Sequence, residues 1–453
     1  MDTQHKEFLQ SALTEENPFM PTAEFPRWLE ERRRAHAFQI ERIPFRELEG
    51  WSFEPSTGNL SHASGRFFKI EGIWVETNYG EVARWSQPII NQPEIGILGI
   101  LTRKVNGILY FLMQAKMEPG NINTVQLAPT LQATRSNFTR VHHGRTPPYL
   151  EFFMNKPGVR TLVDVLQSEQ GARFLRKRNR NMIVEVNDEV PVLDDYCWLT
   201  LGQIRKLIGS DNTVNMDART VIGSIPFVFG AEGVDFNAGS DGSAHSIERI
   251  LSWVTELKFR YELNVERIPL KYVQNWKRLE DCICHEAGKY FSVIAVRVRA
   301  ENREVGYWTQ PLMKPGGEGI VAFVMKRING VMHFLVQAKV EPGNFDVLEM
   351  APTVQCLTGN YREGPAAGRP PFLDYVLRAP PERIRMSTLQ SEEGGRFYQE
   401  ANRNLLVEAD EAFPLDVPDE YIWMTLGQLK TLIQFNNFLN VQARCLLAGL
   451  GCL

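Results

Sequence analysis

Lysine, arginine, glutamine and asparagine recur in this chain as matched pairs. FLMQAKMEPGNINTVQLAPTLQ runs from Phe111 to Gln132, and FLVQAKVEPGNFDVLEMAPTVQ from Phe334 to Gln355. An offset of 223 residues takes Gln114 to Gln337, Lys116 to Lys339, Thr130 to Thr353 and Gln132 to Gln355. It also takes Trp85 to Trp308, Asn137 to Asn360, Arg173 to Arg396 and Arg180 to Arg403. Lysine and arginine hold anions by charge-assisted hydrogen bonds. Glutamine and asparagine orient polar groups, and tryptophan offers a flat stacking face. A packed core seldom needs lysine and glutamine together, so the duplicated polar set points to ligand chemistry. The copies diverge after Asn137 and Asn360. The first continues Phe138-Thr139-Arg140-Val141-His142-His143, the second Tyr361-Arg362-Glu363. Imidazoles near their natural pKa suit general-base work, which favours the first copy for catalysis. His142, His143, Lys116, Glu118 and Tyr361 form the candidate catalytic set.

These residues must be positioned twice. Glu41-Arg42-Ile43-Pro44 matches Glu266-Arg267-Ile268-Pro269, and Trp198-Leu199-Thr200-Leu201-Gly202-Gln203 matches Trp423-Met424-Thr425-Leu426-Gly427-Gln428. Each half of the chain is therefore one whole domain, too long a period for a solenoid. The expected boundaries are 1–225 and 246–453, joined by a Gly-, Ser- and Asp-rich linker over 226–245.

Within a copy, FPRWLEERRRAHAFQI and SIERILSWVTELKFRYEL predict a leading helix. FFKIEGIWVET and YFSVIAVRVRA alternate as strands. Asn106-Gly107 and Asn329-Gly330 interrupt apolar runs and predict type I′ hairpins, which need positive φ at both central residues. SEQGARFLRKRN reads as a helix ahead of the strand MIVEV. That puts Arg173 and Arg396 on helices, where they could also pair with Glu169 and Glu392. It puts Asn179-Arg180-Asn181 at a helix end, where it could satisfy free carbonyls. Thr200-x-x-Gln203 and Thr425-x-x-Gln428 have capping-box spacing. The expected fold is α+β: two tandem copies of a largely antiparallel mixed sheet with flanking helices.

Bulk properties narrow the function. The 453 residues are 43% hydrophobic and 23% charged with a net charge of −4, which gives no electrostatic footprint for nucleic acid. No apolar run reaches membrane-span length, and the polar start MDTQHKEFLQ has no signal-peptide core. A cytoplasmic location is expected, and six scattered cysteines suit a reducing compartment. Cys282-x-Cys284-His285 faces Asn59, Ser61 and His62 in the other copy, so no metal site is expected.

The hairpin strand ending in QAK, the turn EPG and the strand into APT resemble a Nudix fold. The segments that follow, LQATRSNFTRVHHG and VQCLTGNYREGPAA, lack the paired glutamates of a Nudix hydrolase helix, so metal-assisted pyrophosphate hydrolysis is not expected.

From about Phe25 onward the chain resembles the NDP-hexose 2,3-dehydratases. The resemblance rests on QAKMEPGN, QLAPTLQATRSNFTRVHHG, PYLEFF, LQSEQGARF and NRNMIVEV, and on QAKVEPGN, EMAPTVQC, PPFLDYV, LQSEEGGRF and NRNLLVEA. It implies a lyase acting on TDP-4-keto-6-deoxyglucose in deoxysugar biosynthesis for antibiotics. It also implies a homodimer, two Nudix-like domains per subunit, and no redox cofactor or metal for this step. A downstream 3-ketoreductase would consume the reactive product. On this reading the paired lysines and arginines and Arg140 hold the pyrophosphate. Gln114, Gln132, Thr130, Asn137 and their mates fix sugar or base, and Trp85 or Trp308 stacks. The alternative is a nucleotide-sugar-binding protein without turnover.

Overall fold

The computed structural model describes residues 3–134, 146–227, 242–301, 305–361 and 369–450, without the side chains of residues 360 and 361. Each copy builds a seven-stranded mixed sheet. In the first, Gly96–Val105 and Ile108–Met117 form a hairpin closed by Asn106 (φ 50°) and Gly107 (φ 84°). Asn329 (φ 52°) and Gly330 (φ 82°) close the matching hairpin of Gly319–Ile328 and Val331–Lys339. Both turns therefore have the positive φ that the Asn-Gly pairs predict.

Arg178–Val186 runs parallel to Gly96–Val105, and Ala401–Glu408 runs parallel to Gly319–Ile328. Helices Leu201–Ile208 and Leu426–Leu432 each begin with a complete capping box, Thr200 with Gln203 and Thr425 with Gln428. Each large sheet buries an apolar face under its own helices. Phe111, Met113, Leu199 and Ile204 lie in the first core, and Phe334, Val336, Met424 and Leu429 in the second.

Two expectations fail. FPRWLEERRRAHAFQI is a helix only over Phe25–Ala35; its end is the strand Phe38–Ile43. SEQGARFLRKRN is not a helix either. Strand Arg160–Ser168 runs into one tight turn, where Arg173 N and Phe174 N both donate to Gln170 O, and Arg178–Val186 follows as a strand. Arg173 and Arg396 thus stand in turns, and Asn179-Arg180-Asn181 stands in a strand. The turn stops after one loop because the other copy supplies its backbone partners. Gly343 N donates to Gly171 O at 2.7 Å and Arg176 N to Gly343 O at 2.8 Å.

The copies also exchange strands. Phe38–Ile43 pairs antiparallel with Phe291–Ala300 of the second copy, and Leu263–Ile268 pairs with Lys69–Thr77 of the first. Each smaller five-stranded sheet is thus built from both halves of the sequence. A third core joins Ile43, Trp51, Phe68 and Phe174 to Phe291, Val293 and Phe397 across the seam. Among the described residues no helix is long and apolar enough to cross a membrane.

Candidate functional site

The duplicated EPGN turns explain where the copies meet. Gly120 N donates to Gly394 O at 2.7 Å, and Gln399 N returns a bond to Gly120 O at 2.8 Å. A Cβ on Gly120 would lie 1.6 Å from Phe397 O, and one on Gly343 1.7 Å from Phe174 O. Only glycine permits that approach. Each EPGN turn therefore carries its own copy's polar strand to the SEQGARF-type turn of the other.

A cavity of about 450 Å³ opens at one such junction, within the usual size of small-ligand sites. The first copy contributes Lys116 from its hairpin strand, Glu118 from the EPGN turn, Gln132 from strand Leu131–Ala133, and Asp217 from helix Met216–Gly223. The second contributes Trp308 and Gln310 from strand Tyr307–Pro315, and Glu393 and Arg396 from its turn.

The site is densely hydrogen-bonded and acidic. Lys116 Nζ lies 3.9 Å from Glu118 Oε1, and Gln132 Nε2 donates to Glu118 Oε1 at 3.5 Å and to Asp217 Oδ2. Asn215 caps the Asp217 helix by accepting from Ala218 N at 2.8 Å, and its amide donates to Gln132 Oε1 at 3.4 Å. Glu118 Oε2 is buried without a hydrogen-bond partner among the described residues, a free acceptor for a ligand proton. Burial, reinforced by Glu393, Glu118 and Glu169, raises the Asp217 carboxyl well above the usual carboxylate range. Burial also raises Glu393, to about 7. It lowers the Lys177 ammonium, whose Nζ donates to Glu94 O. The Arg396 guanidinium sits 4.3 Å over the Phe68 ring, and its Nε donates to Gln92 Oε1 at 3.2 Å. Trp308 Nε1 donates to Gln310 Oε1 at 2.7 Å, which fixes the indole beside the cavity. Together these groups offer a carboxyl, that of Glu393, able to exchange a proton near neutral pH, cations for a developing oxyanion or phosphate, and an aromatic wall.

The NDP-hexose 2,3-dehydratase family model matches residues 22–225 and again 247–450. This chain belongs to the NDP-hexose 2,3-dehydratase family. It is 51% identical over 461 aligned positions to a protein of Saccharopolyspora spinosa named dTDP-4-dehydro-6-deoxy-alpha-D-glucopyranose 2,3-dehydratase, covering 99% of this chain and 95% of that one. Proteins of the same name from Amycolatopsis orientalis and Streptomyces violaceoruber are 49% and 47% identical. The alignments cover 97% and 94% of this chain, and 92% and 96% of theirs.

The dehydratase fold brings Lys116, Glu118, Gln132, Trp308 and Arg396 into one cavity. Their mates meet at the opposite junction. There Lys339 Nζ donates to Gln355 O at 3.0 Å, Gln355 Nε2 donates to Glu341 Oε1 at 3.1 Å, and Arg173 stacks 4.2 Å over Phe291. Trp85 Nε1 donates to Gln87 Oε1 at 2.9 Å. Other candidates stand apart from the cavity. Arg180 forms a bidentate pair with Asp164 at 2.7 and 2.6 Å, and Arg403 pairs with Glu318 at 3.3 Å. Thr130 and Thr353 are buried and accept from Leu101 N and Val324 N while donating to Leu112 O and Leu335 O. Gln337 Nε2 donates to Tyr79 OH at 3.3 Å, and Gln114 lies in register with Tyr196 and Ala128. Asn137, Arg140, His142 and His143 lie outside the described residues, as do the side chains of Asn360 and Tyr361.

Sequence reasoning passed over Asp217, Lys177 and Glu393. The signal lay in the mismatches between copies, where Asp217 faces Gln442, Lys177 faces Glu400 and Glu393 faces Gln170. Looking only for identity discards the positions at which the copies differ in charge: one copy keeps a carboxyl against an amide at Asp217 and Glu393, and a lysine stands against a glutamate at Lys177.

Proposed function

We propose that this chain removes water across C2–C3 of TDP-4-keto-6-deoxy-D-glucose to give TDP-3,4-diketo-2,6-dideoxy-D-glucose. The observation that carries this reading is 47–51% identity, over 94–99% of the chain, to proteins bearing the corresponding 2,3-dehydratase name. The C4 ketone acidifies the C3 proton, and the C2 hydroxyl is placed to leave once that proton is gone. Glu118, with its unpartnered oxygen, serves as the base. Lys116 stabilises charge developing on the C4 oxygen, the role of an oxyanion donor. Arg396 holds the pyrophosphate, Gln132 orients the sugar, and Trp308 stacks on the base. Asn137 and Arg140, which follow the cavity-lining Thr134 in sequence, are assigned to substrate contact, and His142, His143 and Tyr361 stay in the catalytic set.

The repeats span 1–225 and 246–453 with 226–245 as a linker, and each is Nudix-like in phrasing. The subunit works in the cytoplasm as a homodimer. A 3-ketoreductase takes up the reactive diketo product, on the way to deoxysugars of antibiotics.

The test is incubation of the purified protein with TDP-4-keto-6-deoxyglucose and a chelator in D₂O, followed by NMR and mass spectrometry. Loss of one water with deuterium at C2 is expected. Intact sugar nucleotide despite measurable binding would favour the non-catalytic reading, and released sugar phosphate would mean hydrolysis.

A further inference from the structure

The matched turns at the seam break their symmetry at one residue. Gln170 in the first copy and Glu393 in the second are equivalent positions. Gln170 Nε2 donates across the seam to Glu392 Oε2 at 2.6 Å, and Asn402 Nδ2 donates to Glu392 Oε1 at 2.5 Å. Both Glu392 oxygens are thereby satisfied. Its mate Glu169 accepts from Asn179 Nδ2 at 2.7 Å through Oε1, but Glu169 Oε2 is buried with no hydrogen-bond partner among the described residues. The residue standing where a glutamine amide would serve it is Glu393. A carboxyl can copy that donor only while it carries a proton. Unlike Gln170, Glu393 lines the cavity. A Cβ built on Gly395 would lie 3.1 Å from Glu393 Oε1 and 3.8 Å from Glu118 Oε1, so the two carboxyls converge on one part of it.

We propose that Glu393, supplied by the C-terminal copy, is the acid of this site and protonates the departing C2 hydroxyl while Glu118 takes the C3 proton. The assignment rests on the dehydratase reading above. The C3–H electron pair forms the enolate and then the C2=C3 double bond. The C2–O pair leaves on oxygen, and the Glu393 proton completes water. Glu393 is left as a carboxylate and Glu118 as an acid. Ketonisation then puts a solvent proton on C2 and releases the one on the C3 oxygen, and solvent resets both carboxyls. Nothing is oxidised or reduced overall. The charged groups around Glu393 are Arg396 on its own turn, Glu169 and Lys177 from the other copy's turn and strand, Glu118 beyond Gly395, and Asp217 on its helix. Burial outweighs Arg396 and Lys177 and, with Glu169 and Glu118, raises the Glu393 carboxyl to about 7, so that it still holds a proton near neutrality.

Glu393→Gln is the decisive variant because Gln170 already occupies the equivalent turn. The full-length variant is expected to keep wild-type affinity for TDP-4-keto-6-deoxyglucose and to lose about 10²- to 10⁴-fold in kcat. Glu393→Asp should recover part of that loss. Wild-type kcat should fall as pH rises through about 7, and infrared spectra of the unliganded proteins should show protonated-carboxyl absorption that titrates near neutrality, shared with Glu349 and Glu400, and that is weaker in Glu393→Gln by the share of one carboxyl. A Glu393→Gln enzyme with near wild-type kcat, or one that loses binding as fully as turnover, overturns the assignment. So does the absence of that band difference. Failure of wild-type protein to release water in the same assay would instead sink the dehydratase reading, which the infrared comparison does not depend on.

Discussion

The amide of Gly120 donates to the carbonyl of Gly394, 2.7 Å away, across the seam between two halves of one chain. The reciprocal bond runs from Gly343 N to Gly171 O at the same distance. These contacts place Glu118 of the first copy beside Glu393 and Arg396 of the second. The turn is therefore a joint as well as a loop, and its glycine is held by close approach to another backbone.

Gly120→Ala should disturb the joint. The added methyl would meet Phe397 O at 1.6 Å, and backbone cannot yield as a side-chain tip can. A loss of about 3 kcal/mol is expected, the upper end for overpacking. Urea unfolding of wild type and variant measures it, and equal midpoints would mean that the turns are not pressed together in solution.

Lys116 and Lys339 are equivalent in sequence and different in surroundings. Lys116 lies 3.9 Å from Glu118 and lines the cavity, whereas Lys339 donates to Gln355 O at 3.0 Å. Lys116→Ala should reduce kcat/KM about 10²-fold, the scale of one lost oxyanion donor. Lys339→Ala should leave turnover nearly unchanged and cost about 1 kcal/mol of stability for the lost hydrogen bond. Steady-state kinetics of the two variants decide it, and equal losses would make the two junctions functionally alike.

Trp308 lines the cavity, with its indole fixed by Gln310. Trp308→Ala should weaken nucleotide-sugar binding by about 1 kcal/mol, the scale of one aromatic contact. Trp85→Ala should leave it unchanged. Calorimetric titration with TDP-4-keto-6-deoxyglucose distinguishes them, and a greater loss in Trp85→Ala would move the base to the opposite junction.

Glu349 gives a prediction about pH. It is fully buried, its Oε2 accepts from Ser168 Oγ at 2.6 Å, and its Oε1 has no hydrogen-bond partner among the described residues. Burial raises its pKa from 4.5 to about 7. The folded protein thus binds this proton more tightly than the unfolded chain. Its contribution to stability is complete below about 4.5 and is lost as pH rises towards 7. The equivalent residue is Gln126, which accepts from Ser391 Oγ at 2.7 Å without this penalty. Glu349→Gln should flatten the pH dependence and stabilise the protein at pH 8 by at most on the order of 3 kcal/mol. Denaturant melts at pH 5 and pH 8 check this, and unchanged slopes would mean that Glu349 titrates like an exposed carboxyl.

Much of the fold could be read locally. The Asn-Gly turns, the Thr-x-x-Gln caps and the alternating strands each depend on residues within a few positions of one another, so their chemistry is written in short segments. The repeat itself was visible from Gln114 and Gln337 onward. The SEQGARF segment has the spacing of a helix, and the residue that halts it after one turn, Gly343, lies far along the chain, as Gly120 does from the matching turn SEEGGRF. Arg180 reads as a ligand residue from its charge and its repetition as Arg403, yet Asp164 on the neighbouring strand claims it in two hydrogen bonds.

By itself the sequence determined that there are two copies of one α+β unit, and which polar residues both retain. Only the tertiary structure decided that Phe38–Ile43 and Leu263–Ile268 change places, and that Lys116 and Glu118 share a cavity with Glu393 and Arg396. The physical reason is that two copies of one fold offer equivalent strand edges and turns. Local propensity cannot choose between pairing within a copy and pairing across, and the choice falls to packing at the seam, where Phe174 and Phe397 meet edge to face with ring centres 5.8 Å apart.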